Sequence, residues 1–398
     1  MTRTHSFWLI PLLGYLVAFG PLSIDTYLPS LPEIAKNLGA SQQMVQYSIT
    51  SFLVGMAIGM LIIGPLSDQL GRKKILLVGT FTYALTSLGC AMVQDAESLV
   101  LLRALQSLGA AAAAVLARAL VRDYFDHQQA ASILSSMHII SMIVMIFAPL
   151  LGAFIVNTLD WRWIFYLLAA VSVFAFVAIA LIIKEPQRDT TKPPSIKDYL
   201  SSYAVCFSEP KVTLLILTNG FSFAGMFAFI AASAFVYIEY FGYRESTYGL
   251  LFSANIGAII VMTVINKQLL TRASSETALR FAITVSAISA CLMALISVSY
   301  ADIALLFIAS SMLFISVTGS IGANCLATLF AIIPERAGTA AGLLVAMQFA
   351  LGSISTYITS LLFDGTPASL LIVMASFGAL SFASYGLSLM ISHKKQPH

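Results

Sequence analysis

Charge is what this 398-residue sequence has least of: Asp, Glu, Lys and Arg together make up 10% of it, against 59% hydrophobic residues. Soluble domains carry about 25% charged residues and need them to stay in water, so a soluble globular fold is excluded. Cysteine is scarce too. Cys90, Cys206, Cys291 and Cys325 show no CxxC or Cys/His spacing, which leaves neither a disulfide framework nor a metal site. No P-loop, HExxH or GxSxG pattern occurs, so ATP hydrolysis and the common hydrolytic chemistries have no residues to carry them. The chain is not expected to be an enzyme, and no cofactor, metal or nucleic-acid partner is expected.

What is present is a succession of near-continuous apolar runs. Each is about 20 residues long, the length that crosses hydrocarbon as a helix, whereas membrane strands alternate over about 10. The runs fall near 7–30, 42–65, 75–93, 98–121, 131–156, 163–183, 212–237, 246–266, 278–299, 303–331, 339–362 and 368–391. The first is longer than a signal-peptide core and lacks a small-x-small cleavage site, so it reads as a retained span. Twelve spans put both termini on one side of the bilayer. Lys36, Arg162 and Arg244 fall on the opposite side and Arg103 lies within a span, which leaves 17 of the 21 basic residues on the side of the termini. The positive-inside rule makes that side cytoplasmic, and the cytoplasmic (inner) membrane is the expected location.

The longest polar stretch, 184–211, falls near the middle of the chain and contains KEPQRDTTKPP. It divides the chain into a six-helix bundle at 1–184, a cytoplasmic linker at 185–211 and a second six-helix bundle at 212–398. Within the linker, Ile196, Tyr199, Leu200 and Tyr203 recur at helical spacing, which predicts a short amphipathic surface helix or a solvated linker helix without a specific role. The fold class is therefore an all-α membrane protein of twelve transmembrane helices in two bundles.

Against this apolar background an intramembrane charge, costing about 2.5–3.5 kcal/mol to insert, stands out. Asp25 comes late in the first span and Arg103 about one and a half turns into the fourth, which starts from that same side, so their depths match. An Asp25–Arg103 pair or a shared aqueous vestibule would let the carboxylate bind and release a proton. The alternative for Asp25 is a helix cap in the outer headgroup region, close to Pro29 and Pro32.

The loop after the second span reads GPLSDQLGRKK at 64–74. It resembles the G-x-L-a-D-r-x-G-r-k-x signature of the major facilitator superfamily. RALQSLGAA at 103–111 is similar to that family's fourth-span motif, with Ser107 in place of a glycine. APLLGA at 148–153 is similar to its fifth-span antiporter motif, with alanine for the first and last glycines. Small residues there equally suit close packing, and Pro149 favours a bend. The segments PLSIDTYLPSLP (21–32), DWRWIF (160–165) and NGFSFAGMFAFIAASAFVYIE (219–239) resemble the Bcr/CflA drug-resistance branch, the bicyclomycin and chloramphenicol type of efflux carrier. The resemblance implies drug:proton antiport of lipophilic drugs or small metabolites. It implies coupling roles for Asp25 and Arg103, a conformational switch at Gly64, Asp68, Gly71 and Arg72 with Asp123 receiving Arg72, and an antiporter role for Pro149 and Gly152. The different-class alternative is a proton-coupled importer or facilitator of a small nutrient. Protons, a small-molecule substrate and the lipid bilayer are the partners implied, with a monomer as the unit.

For the substrate, near the midplane between the halves, the candidates are Asn219, Phe223 and Phe227 in the seventh span, Asn255 in the eighth, Asn324 in the tenth and Gln348 in the eleventh. Amides in hydrocarbon need partners, either a ligand or another helix. His138 and Glu239 are left open as proton relays; a neutral histidine and an interfacial glutamate are the alternatives.

Overall fold

The computed structural model describes residues 3–185 and 196–394, and every regular element among them is helical. The first half contains α1 (Arg3–Val17), α2 (Phe19–Asp25), α3 (Leu31–Asn37), α4 (Gln42–Leu70), α5 (Arg72–Met92), α6 (Ala96–Tyr124), α7 (His127–Thr158) and α8 (Arg162–Ile182). After it come α9 (Ile196–Ser208), α10 (Pro210–Ala234, prolonged by a π turn at Phe235–Tyr240) and α11 (Glu245–Leu270). The chain closes with α12 (Ser275–Ser299), α13 (Ala304–Ser316), α14 (Thr318–Ile332), α15 (Ala337–Leu362) and α16 (Pro367–Lys394). Among the described residues eleven helical stretches are long and apolar enough to cross a membrane, and the bent pair Trp8–Val17 and Phe19–Asn37, taken as one span, makes twelve.

Two expected spans are broken. The first bends by 42° after Val17. Pro21 has no N–H to give the Val17 carbonyl four residues back, which ends the first helix there. In the tenth, the helix is interrupted at Val317, whose φ of −92° and ψ of −9° stay in the right-handed region, so α13 and α14 still form one span. On either side Ser316 Oγ and Thr318 Oγ1 donate to the carbonyls of Leu313 and Ile315, each at 2.8 Å, and such hydroxyls compete with the helix ladder. Pro149, by contrast, lies inside an α7 that runs unbroken from His127 to Thr158.

The chain divides into two compact units. One holds residues 1–196 and Arg244–Ser253, and the other Lys197–Tyr243 and Ala254–His398. In the first, α4 and α6 approach closely because Gly55 and Gly59 lie against Ala104, Ser107 and Ala111 of the facing helix. In the second, α10 packs on α15 and α16, and α12 on α16. A helix, α9, occupies the expected linker position, and its Tyr203 is half-buried. The side chains of Ile196, Tyr199 and Leu200, and most of KEPQRDTTKPP, lie outside the described residues.

Candidate coupling and substrate sites

At the α4–α5 junction, Gly71 takes φ +98°, a left-handed conformation that side-chain-bearing residues rarely adopt. That turn lets α5 begin at once with Arg72. The Arg72 guanidinium spreads over three acceptors: Nε donates to Asp123 Oδ2 at 2.6 Å, Nη1 to Ser67 Oγ at 3.0 Å, and Nη2 meets Asp68 Oδ1 at 3.1 Å. The planar fork of arginine fits this, where the point charge of lysine would not. Arg72 is buried and both carboxylates are largely so, so the pairs keep more of their strength than surface ion pairs do. Asp68, Gly71, Arg72 and Asp123 thus converge. Gly64 stands one turn before Ser67, whose hydroxyl donates to its carbonyl at 2.7 Å.

Glu185 joins this cluster and was not a candidate from the sequence. A glycine N-cap offers no side-chain acceptor to the first N–H groups of α5. Glu185, just beyond α8, supplies both: the backbone N–H of Arg72 donates to Oε1 at 2.6 Å and that of Lys73 to Oε2 at 2.9 Å. Lys73 Nζ donates to Ala180 O at 2.8 Å and Tyr124 Oη to Lys184 O, so the ends of α4, α5, α6 and α8 are tied together. The signal was an acidic residue leaving the sixth span on the same side as the loop.

Arg103 is fully buried near the start of α6. No ion pair joins it to Asp25. Nη1 donates to Gln106 Oε1 at 2.6 Å and Nη2 to Ser23 O at 3.1 Å, and Gln106 Nε2 donates on to Ser87 Oγ at 2.6 Å. The guanidinium carbon lies 4.3 Å from the Phe52 ring centroid, 4.7 Å from Tyr27 and 5.9 Å from Phe165. Charge-assisted hydrogen bonds of about 1.5–3 kcal/mol and cation–π contacts of about 0.5–2 kcal/mol each are enough to offset the insertion cost of the charge. Tyr27 Oη and Ser48 Oγ share a hydrogen bond of 2.8 Å, and Ser23 Oγ bonds Tyr83 Oη. Asp25, two residues beyond Ser23, is buried with 4% exposure, and its Oδ2 has no hydrogen-bond partner. Matching depth therefore brought the two residues onto neighbouring helices, while side-chain direction kept them apart.

Gly152 of α7 faces the Thr26 carbonyl immediately after Asp25. Pro149 presents its own carbonyl to Gly249, one of the α11 residues that group with the first unit, and Ser253 Oγ donates to Ile146 O at 2.7 Å. Both antiporter-motif residues therefore sit where backbones touch.

In the second unit, Gln348 Nε2 donates to Asn219 Oδ1 at 3.3 Å. Gly322, which the sequence did not single out, lies against Asn219, Phe223 and Gln348. Asn219 is fully buried and its Nδ2 has no partner. The other candidates go elsewhere. Phe227 packs on Gly352 and on the Phe349 ring at 5.8 Å, Asn324 Nδ2 donates to Asn266 Oδ1 at 2.8 Å, and Asn255 is buried in α11. His138 is exposed on α7, and Glu239 is exposed in the π turn after α10.

Comparison with known proteins follows the same lines. The chain is 32% identical over 385 residues to a bicyclomycin resistance protein homolog of Haemophilus influenzae, covering 96% of each chain. It is 29% identical over 248 residues, 62% of each chain, to the multidrug resistance protein MdtL of Salmonella typhi. Its fold superposes with a TM-score of 0.78 at 13% identity on a bacterial homolog of the human lysosomal transporter Spinster, covering 98% of both chains. Residues 12–357 match the family description of the Major Facilitator Superfamily, and the chain belongs to that family of membrane transporters.

Proposed function

We propose that the protein is a proton-coupled exporter that moves lipophilic drugs or small metabolites out of the cytoplasm by alternating access, as a monomer in the inner membrane with both termini cytoplasmic. The observation that carries the reading is Asp25, a carboxylate buried in an apolar helix with one oxygen unpartnered. Such a group is costly as a permanent anion and is suited to holding a proton in one state and releasing it in another. Support for drugs as cargo comes from the full-length similarity to a bicyclomycin resistance homolog. The Asn219–Gln348 amide pair, with Phe223 beside it, is suited to neutral ligands carrying an acceptor oxygen. The Arg72 cluster is proposed as the conformational switch, broken and remade in each cycle. In everted vesicles carrying an imposed proton gradient, added bicyclomycin or chloramphenicol dissipates the gradient, and Asp25→Asn abolishes the response. Full coupling in that variant removes Asp25 from the mechanism, and unchanged susceptibility of a pump-deficient strain expressing the protein removes export.

A further inference from the structure

Arg118 is a cation in the last third of α6 that none of the sites above employs. It lies in α6 more than a turn before Asp123, yet it is exposed. At 3.6 residues per turn it shares a face with Ala111 and Ala114, both buried, and not with the exposed Leu101, Leu105 and Leu108. The open surface at Arg118 is thus a continuation of the helix's inward face and not of its lipid face.

Nor does the side chain stretch toward the nearby helix end, as an arginine seeking the headgroups would. Nη1 donates to Ala114 O at 3.4 Å, so the guanidinium folds back over the preceding turn, toward the middle of α6. Among the described residues it forms no ion pair, and the carboxylates at that end are engaged elsewhere: Asp68 and Asp123 bind Arg72, Glu185 caps α5 and Asp126 caps α7. His138, also exposed, lies on α7, which packs against α6, and the Arg118 charge acts on it. Further along that side of α7 come half-buried Met142 and Met145, flexible apolar side chains that adapt to varied shapes.

We propose that Arg118 and His138 form a subsite for the carboxylate of an amphiphilic organic acid, with the methionines receiving its apolar part. A guanidinium fork without an ion-pair partner binds a carboxylate through two parallel N–H donors, and an imidazole N–H from the neighbouring helix adds a third. A cation without a protein counter-ion is stabilised by such a ligand. The subsite rests on the export reading for the direction of transport but not for binding.

The full-length purified protein is titrated with 4-phenylbutyrate and with its neutral amide, 4-phenylbutyramide, by calorimetry. The acid binds about tenfold more tightly, the effect of one charge-assisted contact. Arg118→Gln abolishes the preference, Arg118→Lys retains part of it, and His138→Gln reduces it. Equal affinities, no measurable binding of the acid, or an intact preference in an Arg118→Gln protein that melts like wild type overturns the proposal. Wild-type protein that prefers the acid but confers no drug resistance leaves the subsite standing and removes the export reading.

Discussion

Gly152 on α7 lies so close to Thr26 that a methyl group in place of its hydrogen would overlap the Thr26 carbonyl. The obstacle is backbone and not the tip of a flexible side chain, so it cannot move aside without shifting the segment that carries Asp25. Close helix approach and the proposed proton site are therefore linked through one glycine.

Gly152→Ala accordingly lowers the thermal stability of the purified protein by an overpacking penalty of about 1–3 kcal/mol. It also impairs drug-driven proton movement. A variant with wild-type melting and transport contradicts this packing.

Gly64 behaves in the opposite way. A Cβ there meets nothing within 4 Å, and the residue sits inside α4. Gly64→Ala is expected to stabilise by about 0.5–1 kcal/mol, because alanine is the better helix former. Raised melting with lost transport would mean that Gly64 is needed in another conformation of the cycle; lowered melting counts against the open space seen here.

Arg72→Lys keeps the charge but loses the fork, so one ammonium must serve the three acceptors now held by Arg72. Transport is expected to fall by about tenfold, the equivalent of one charge-assisted hydrogen bond. Glu185→Ala leaves the first N–H groups of α5 uncapped and costs about 0.5–2 kcal/mol of stability. Its effect is read by hydrogen exchange at Arg72 and Lys73, and unchanged protection there refutes the capping role.

Asp25→Asn and Asn324→Leu separate function from packing. Asp25→Asn removes an unpaired buried carboxylate and is expected to hold or raise the melting temperature while abolishing coupling. Asn324→Leu strands Asn266 and is expected to cost about 1–3 kcal/mol of stability. It leaves substrate preference unchanged, whereas Gly322→Ala, placing a methyl 3.0 Å from Asn219 Oδ1, alters that preference at little cost in stability. A change of substrate range in Asn324→Leu would return that residue to the binding site.

The membrane spans were legible in the sequence, because length and apolarity alone settle whether a helix can cross hydrocarbon. The break after Val17 was legible in principle too, since Pro21 withholds a hydrogen bond four residues back. The Arg72 cluster was readable for a different reason: Asp68, Gly71 and Arg72 are neighbours in the chain, so a local turn sets much of their geometry. Glu185 was not, because more than a hundred residues separate it from the N–H groups it caps.

Depth along a span follows from chain position, since a helix advances 1.5 Å per residue from wherever a span begins. On that basis Asp25 and Arg103 are expected at one level, and Asn324 within the tenth apolar run. Direction was decided only by tertiary packing. A helix can turn about its axis without changing any depth, and the neighbours it meets determine which way each side chain points. Packing turned Arg103 toward Gln106, Ser23 and three aromatic rings, gave Asn324 to Asn266, and brought Gly322 against Asn219 and Gln348.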